Sequence, residues 1–316
     1  MIEFIIKRII STIPVLLITS IIIFSIMRLL PGDPVLIVMG GAQSDISEEQ
    51  LDEARKEYGF DKPIYIQYII WLKNAFQGDL GRSIHTRQDV IAIVTSRLLP
   101  TIHIALTAWI IAILIAIPLG AYTAQKQNEW LDWIGTIMTL TGAAMPYFLI
   151  GGLLIYFFSL RLGWLPASGY VPLSENFSQS MSSTILPSIT LALGLTAVTA
   201  RQARSSFIEV MNNDFIRTAR AKGLSETMVV LAHAFRNAML PVVTIVGLQL
   251  GMLFGGTVVT ETVFAIPGVG RLLIDSILGR DYSVVQAVVL YITFTVISAN
   301  LIVDICYGIL DPRSRT

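Results

Sequence analysis

The stretch Asp214-Phe-Ile-Arg-Thr-Ala-Arg-Ala-Lys-Gly-Leu-Ser-Glu226, followed by His233 and by Arg236-Asn237-Ala238-Met239-Leu240-Pro241, is a charged island between two long apolar runs. Its chemistry spells out a helix, a corner and a second helix. Asp214 is suited to cap a short helix from Phe215, and the small residues Ala219 and Ala221 let a partner come close. Gly223 stands where a left-handed residue would end that helix, and Ser225 before Glu226 starts the next one, which leads back into an apolar run. A DNA-reading helix-turn-helix has the same outline, but flanking runs that belong in lipid argue against it. The plain alternative is an ordinary basic cytoplasmic loop.

The surrounding composition places the island in a membrane protein. The chain has 316 residues, 54% hydrophobic and 14% charged, with a mean hydropathy of +0.69, too apolar for a soluble globular protein of this length. Its 22 basic and 22 acidic residues cancel, which argues against a nucleic-acid partner and leaves only their placement informative. The one cysteine, Cys306, lies in an apolar run, so there is no disulfide framework or metal cluster.

Behind Lys7-Arg8, the apolar run Ile9 to Met27 is about the ~20 residues a bilayer needs. It is too long for a signal-peptide core and no small-residue cleavage pattern follows, so it reads as a retained first span. Stretches 98–125, 133–160, 176–200, 237–260 and 282–303 lack Asp, Glu, Lys and Arg and complete six spans. Pro14, Pro118, Pro146, Pro187 and Pro241 lie at or within their limits and mark kinks, which membrane helices tolerate.

With the N-terminus inside, the cytoplasmic segments hold Lys7, Arg8, Lys126, Arg201, Arg204, Arg217, Arg220, Lys222, Arg236, Arg313 and Arg315, against Arg161, Arg271 and Arg280 in the short outer loops. Segment 28–97 carries eight more basic residues but exceeds the ~60-residue limit within which such charges set orientation. Both termini and the island are therefore expected in the cytoplasm. Arg201 and Arg204, at the inner end of the fourth span, read as snorkelling anchors or as a contact with a partner.

Segment 31–97 is expected to form an external domain between a first unit, 1–30, and a core, 98–316, that contains an inner loop at 205–236. Ser47-Glu48-Glu49-Gln50 is a capping box opening a helix that Gly59 can end. Asp61-Lys62-Pro63 opens an aromatic helix (Tyr65, Tyr68, Trp71, Phe76) closing near Gly78, and a third helix is expected from Asp89 to Arg97. Gly163-Trp164-Leu165-Pro166-Ala167-Ser168-Gly169-Tyr170 gives an outer loop with an interfacial Trp/Tyr pair. In the fifth span Gly247, Gly251 and Gly255 form one smooth stripe, either for helix packing or as a conduit wall with Gln249 facing water. Asp304, near the inner end of the last span, either meets headgroups or a basic residue or serves function within the membrane.

The run Arg217-Thr218-Ala219-Arg220-Ala221-Lys222-Gly223-Leu224, with Asp214 before it and Arg236-Asn237-Ala238 and Leu240-Pro241 after it, resembles the cytoplasmic signature of ABC-importer permeases of the dipeptide/oligopeptide/nickel branch. The general signature begins Glu-Ala-Ala where this chain has Arg217, Thr218 and Ala219, a departure normal for that branch. Pro31-Gly32-Asp33-Pro34, Tyr58 to Pro63, Gly78-Asp79-Leu80-Gly81, Gly163 to Tyr170, Glu261 to Leu272, Arg280-Asp281-Tyr282, Asn300 to Asp304 and Asp311-Pro312-Arg313 are similar to the same family, in the same order.

The resemblance implies an all-α membrane protein of six transmembrane helices, a type I ABC-importer permease fold with an external helical insert that is either a scoop near a docked binding protein or a lid. It implies that Asp214, Arg217, Thr218, Ala219, Arg220, Ala221, Lys222, Gly223, Leu224, Glu226, His233, Arg236 and Asn237 form the coupling surface for an ATPase. The implied partners are a homologous second permease, two ATP-binding subunits, an extracytoplasmic substrate-binding protein and the lipid of a bacterial inner membrane. The implied cargo is a peptide or peptide-like solute, with a nickel chelate as alternative. ATP and Mg would sit on the partner subunits, with no cofactor in this chain. Consistently, no lysine follows a glycine, so no Walker A loop exists, and neither a His-Glu-x-x-His nor a Gly-x-Ser-x-Gly pattern is present. An ion-driven transporter would want charges near the midplane, and these spans have almost none.

Overall fold

A computed structural model describes residues 2–29, 47–57 and 61–310; their regular structure is helical apart from one isolated bridge between Arg82 and Asp89. The motifs Pro31-Gly32-Asp33-Pro34 and Asp311-Pro312-Arg313, and the corner at Gly59, lie outside the described residues. Helix α1 (Ile2–Leu29) is the first span. Then come α2 (Glu48–Glu57) and α3 (Ile64–Phe76). The capping box forms: Ser47 N donates to Gln50 Oε1 at 3.2 Å and Gln50 N donates to Ser47 Oγ at 3.3 Å.

Helix α4 (Val90–Gln125) is a single 36-residue rod. The separate helix expected from Asp89 to Arg97 is therefore the first turns of the second span, because nothing between Arg97 and Leu98 interrupts the backbone ladder. The third span departs from a straight rod. Helix α5 (Trp130–Ala144) and helix α6 (Tyr147–Leu154, continued by a π-helical Ile155–Arg161) meet at a bend of 107°. Met145 is extended (φ −78°, ψ 129°), as a residue before proline prefers, so Pro146 ends one helix and begins the next. Pro14, Pro100, Pro118, Pro187 and Pro241 instead lie inside continuous helices.

Helix α7 (Phe177–Met211) extends beyond the apolar run and carries Arg201 and Arg204 on its last turns. It is followed by α8 (Asp214–Ala221), by a turn of helix and π-helix through Ala234, and by α9 (Phe235–Val263). Helices α10 (Val269–Leu278) and α11 (Tyr282–Leu310) close the chain. Among the described residues five helices are long and apolar enough to cross a membrane, and the bent pair makes a sixth if it counts as one span.

Helices α4 and α7 pack backbone to backbone: a Cβ on Gly120 would overlap Ala203 and the Ala200 carbonyl. The Trp109 indole donates to the Val246 carbonyl at 2.9 Å and ties α4 to α9. One apolar core, with Phe207, Ile216, Val229 and Val242, gathers at the end of the bundle that carries the charged island. A second, with Ile104, Leu186, Leu191 and Phe264, fills the opposite half.

Candidate coupling site

The island is built as a knob set into a socket. After Met211 the chain turns at Asn212 and Asn213, and Asn213, not Asp214, occupies the N-cap position of α8; its side chain makes no capping bond. Asp214 is already the first helical residue, where its negative charge suits the positive helix end. One face of α8 buries Ile216 and Ala219 against Phe207, Val229, Val230, Ala234 and Ala238. Ala219, expected on the surface offered to a partner, instead faces this chain's own core. The helix is amphipathic at a period of 3.6, so the residue three along from Ile216 returns to the same side.

The other face is free for contact. Phe215, Arg217, Thr218, Ala221, Lys222, Gly223 and Leu224 are exposed, so apolar Phe215 and Leu224 sit among basic groups. Gly223 has φ +79° and donates from its amide to the Arg220 carbonyl at 2.9 Å, which makes it the left-handed residue that ends α8. A Cβ there would meet nothing within 4 Å, so Gly223 is required for its backbone angle and not for lack of room. Ser225 Oγ accepts from Met228 N at 3.4 Å and starts the next turn as expected. The corner is braced by Arg220, whose guanidinium holds Glu226 through two bonds of 3.1 and 2.6 Å. That hydrogen bonding pushes the Arg220 pKa further above its ordinary value. Arg217 pairs with Asp214 at 3.4 Å.

The backbone then passes through the π-helical turn Val229–Ala234 before regular helix resumes. His233 is half-buried in that turn, and Asn237 donates from Nδ2 to its carbonyl at 3.0 Å, filling part of the acceptor capacity that a wide turn leaves over. Arg236 is exposed beside them. The exposed face of α8, the corner and the π-turn thus run without a break into α9.

Arg204 corrects its reading as an anchor. Its guanidinium makes a two-point pair with Asp132 at 2.6 and 2.7 Å, and Asp132 also accepts from Asn128 N at 3.1 Å. This joins the start of α5 to the last turns of α7, one short link from α8. The partners are 72 residues apart, and only the lone carboxylate at the edge of the third apolar stretch signals the pair.

The glycine stripe faces the last span: a Cβ on Gly247 would overlap Val303, and one on Gly251 would press on Asn300 and Val296. Gly255 lies in the same helix, but its packing and the side chain of Asp304 fall outside the described residues. Gln249 does not face water. It is buried between α9 and α7, accepting from Thr199 at 3.0 Å and donating to the Leu195 carbonyl at 3.1 Å. Tyr170 likewise turns inward, its hydroxyl 3.3 Å from His103 Nδ1, while Trp164 stays exposed.

At the opposite end of α9 lies a cluster that the sequence contains but does not flag. Glu261 is fully buried. It accepts from Thr101 Oγ1 at 2.6 Å and from Arg271 N at 2.8 Å, while the same Thr101 oxygen accepts from Val269 N at 2.9 Å. The carboxylate thus caps α10 and pins α4, α9 and α10 together. A lone Glu ahead of Pro267-Gly268-Val269-Gly270 is the available signal, since those glycines leave room for a carboxylate beside the backbone.

Residues 116–316 match the family described as the binding-protein-dependent transport system inner membrane component, and residues 1–105 match its N-terminal companion. The chain belongs to this family. It is a permease subunit of an ABC importer and a multi-pass inner-membrane protein, and importers of this kind work with ATPase and substrate-binding partners. Among relatives, the glutathione transport system permease protein GsiC of Salmonella typhi is 42% identical over 315 residues, covering 100% of this chain and 99% of the relative. Its counterpart from Escherichia coli is 41% identical over the same length and coverage. In fold the permease is similar to a chain of the inward-facing MetNI methionine ABC transporter, with a TM-score of 0.59 at 15% identity over 70% of this chain and 97% of that one. A chain of an amino acid ABC transporter crystallised with histidines gives 0.52 at 15%, over 69% and 94%.

Proposed function

We propose that this permease pairs with a homologous second permease to form a pathway for a peptide or peptide-like solute of the glutathione class. Two ATP-binding subunits, which carry the ATP and Mg, engage the exposed face of α8 and its glycine corner. The substrate reading is supported by full-length similarity to glutathione permeases. Both termini lie in the cytoplasm in this reading, which the excess of basic residues on the side of the island supports.

The observation that carries the coupling reading is the two-sided character of α8: Ile216 and Ala219 fix it in this chain's core, while Phe215, Arg217, Lys222 and Leu224 point away with no partner of this chain's core behind them. A helix so embedded moves only together with α7 and α9. When the ATPase pair closes on ATP, the docked face is displaced, and the spans on either side follow. ATP shifts the equilibrium because the docked surface fits the closed pair in one membrane conformation only.

The test is Gly223→Arg in the assembled transporter. The position is open toward solvent, so a long side chain is accommodated by the isolated permease apart from a local cost of roughly 1–2 kcal/mol for a left-handed non-glycine residue. Insertion and pairing with the sister permease should persist while transport and substrate-stimulated ATP hydrolysis collapse. Normal transport by the assembled Gly223→Arg complex would remove α8 from the mechanism. Radiolabelled glutathione uptake into proteoliposomes, competed by di- and tripeptides and by nickel chelates, identifies the solute.

A further inference from the structure

Helix α3 reads Ile-Tyr-Ile-Gln-Tyr-Ile-Ile-Trp-Leu-Lys-Asn-Ala-Phe over residues 64–76, with Lys73 its one charge, and none of its residues is buried. A helix this apolar in a water-exposed lid would turn one side into a core. Here Tyr65, Ile69 and Phe76 share one outward stripe and are 66%, 60% and 82% exposed, and Ile70, also exposed, lies about a quarter turn round from Ile69. The inward side is narrow and touches α1. The Tyr68 hydroxyl lies 2.8 Å from Ser20 Oγ, and the Phe24 ring centroid is 5.5 Å from that of Tyr68 and 5.6 Å from that of Trp71.

The position of those contacts along α1 decides what surrounds α3. Ser20 is seven residues before Met27, where the apolar run ends, and so about 10 Å in from that end at ~1.5 Å rise per residue. The hydrocarbon layer is ~30 Å thick, so a helix resting on Ser20 lies at the depth of acyl chains. Around the same level α1 exposes Ile18, Ile21, Ile22 and Ile26, and the stripe on α3 continues that surface. Lys73 has a stem long enough to carry its ammonium to the headgroups. The polar residues Asp61, Lys62, Gln77 and Asp79 stand at the two ends.

We propose that α3 is a membrane-embedded interfacial helix, lying in the leaflet next to the C-terminal end of α1 with Tyr65, Ile69, Ile70 and Phe76 against lipid acyl chains, and not a part of an external lid standing in water. The placement holds whichever side of the membrane that leaflet is on. It gives the following loop a fixed height. Residues 78–88 are latched at their far side by Ser83 to Asp281 at 2.5 Å and by His85 to the Gly279 carbonyl at 2.7 Å, and at their near side they hang from α3. The loop is thus strung between the last span and the lipid.

The test uses the assembled transporter in phosphatidylcholine/phosphatidylglycerol nanodiscs, in a Cys306→Ser background with Ile69→Cys, Phe76→Cys or Glu53→Cys carrying an environment-sensitive fluorophore. Phe76 is included because it makes no ring contact with α1, so its replacement leaves the docking intact should Ile69→Cys disturb it. Labels at 69 and 76 should be quenched by a doxyl group near the top of the acyl chain and shielded from aqueous iodide, and the label at 53 should show the reverse. A doxyl-to-iodide ratio at 69 and 76 equal to that at 53 places α3 in water and overturns the proposal. Shielding from both quenchers overturns it too, since a protein partner then covers the stripe.

Discussion

The two ends of α9 are fastened by opposite chemistry. At the end bearing the island, α8 is held by Ile216 and Ala219 in an apolar socket, and its charges all lie on the outside. At the other end the fastening is the buried Glu261, which accepts from donors on α4 and α10. Apolar contact is non-directional and survives small shifts, whereas a buried carboxylate loses several kcal/mol if its donors move away. Under the proposed coupling, the Glu261 knot would be the stationary pivot and the socket the joint that transmits displacement.

The largest effect is expected at the pivot. Glu261→Ala leaves Thr101 Oγ1 and the first amides of α10 without their acceptor and opens a cavity, at roughly 3 kcal/mol or more. Thermal unfolding of the detergent-solubilised complex should show a clear drop in midpoint, with Glu261→Gln falling between variant and parent because it retains an oxygen acceptor. A Glu261→Ala protein that melts with the parent would show that the knot fastens nothing.

Two glycines sharpen the contrast further. A Cβ on Gly268 would overlap the Glu261 carboxylate, whereas one on Gly223 meets open space. Gly268→Ala should therefore lower the yield of folded permease, while Gly223→Ala costs only the ~1–2 kcal/mol of a left-handed alanine and folds normally. Fluorescence-detected gel filtration of the two variants compares them directly, and equal profiles would mean that the carboxylate has room to yield.

Between pivot and joint lies the Arg204–Asp132 pair. Removing the charge with Asp132→Asn leaves a guanidinium that is 31% exposed and so partly rescued by water. The loss should be about 2 kcal/mol, below that for a fully buried pair and above that for a surface one. Because the pair ties α5 to the helix that leads into α8, coupling should suffer along with stability: ATP hydrolysis by the complex should become less dependent on substrate. Unchanged coupling with lowered stability would confine the pair to a structural role.

What could be read from sequence follows the range of the interaction. The capping box at Ser47, the left-handed Gly223 and the N-cap at Ser225 each rest on a few consecutive residues, and all three stand in the structure as their sequence suggests. The six apolar stretches were equally legible, because crossing a membrane is a demand on composition and length. The 107° bend at Pro146 was not, since a proline in an apolar run reads the same whether the helix kinks or breaks. For Gln249 the structure selects packing over the conduit wall, and for Arg204 it replaces the anchor with an ion pair; neither choice is legible in sequence, because the partners lie 50 and 72 residues away and nothing nearby names the helix they will meet. Ala219 fell between these cases. Its smallness is plain in the sequence, but smallness fits a close approach from either side, and only the position of Ile216 three residues before it indicates which face turns inward.

The smallest effect is expected where the joint meets water. Arg220 and Glu226 bridge the glycine corner at 2.6 Å, but their side chains are 42% and 54% exposed. Exposed pairs contribute ~0.2–1 kcal/mol, because solvent screens the charges and ordering two long side chains costs entropy. Glu226→Gln removes the charge and keeps a hydrogen-bond acceptor for Arg220, so the corner, fixed by Gly223 and by the buried Ile216 and Ala219, should hold its shape. Transport at low ionic strength should then fall by no more than about twofold, and raising the salt should bring parent and variant together, since screening removes the same interaction in both. A collapse as deep as that expected for Gly223→Arg would show that Glu226 itself touches the ATPase, and the docking face would then extend past the corner into the turn that starts α9.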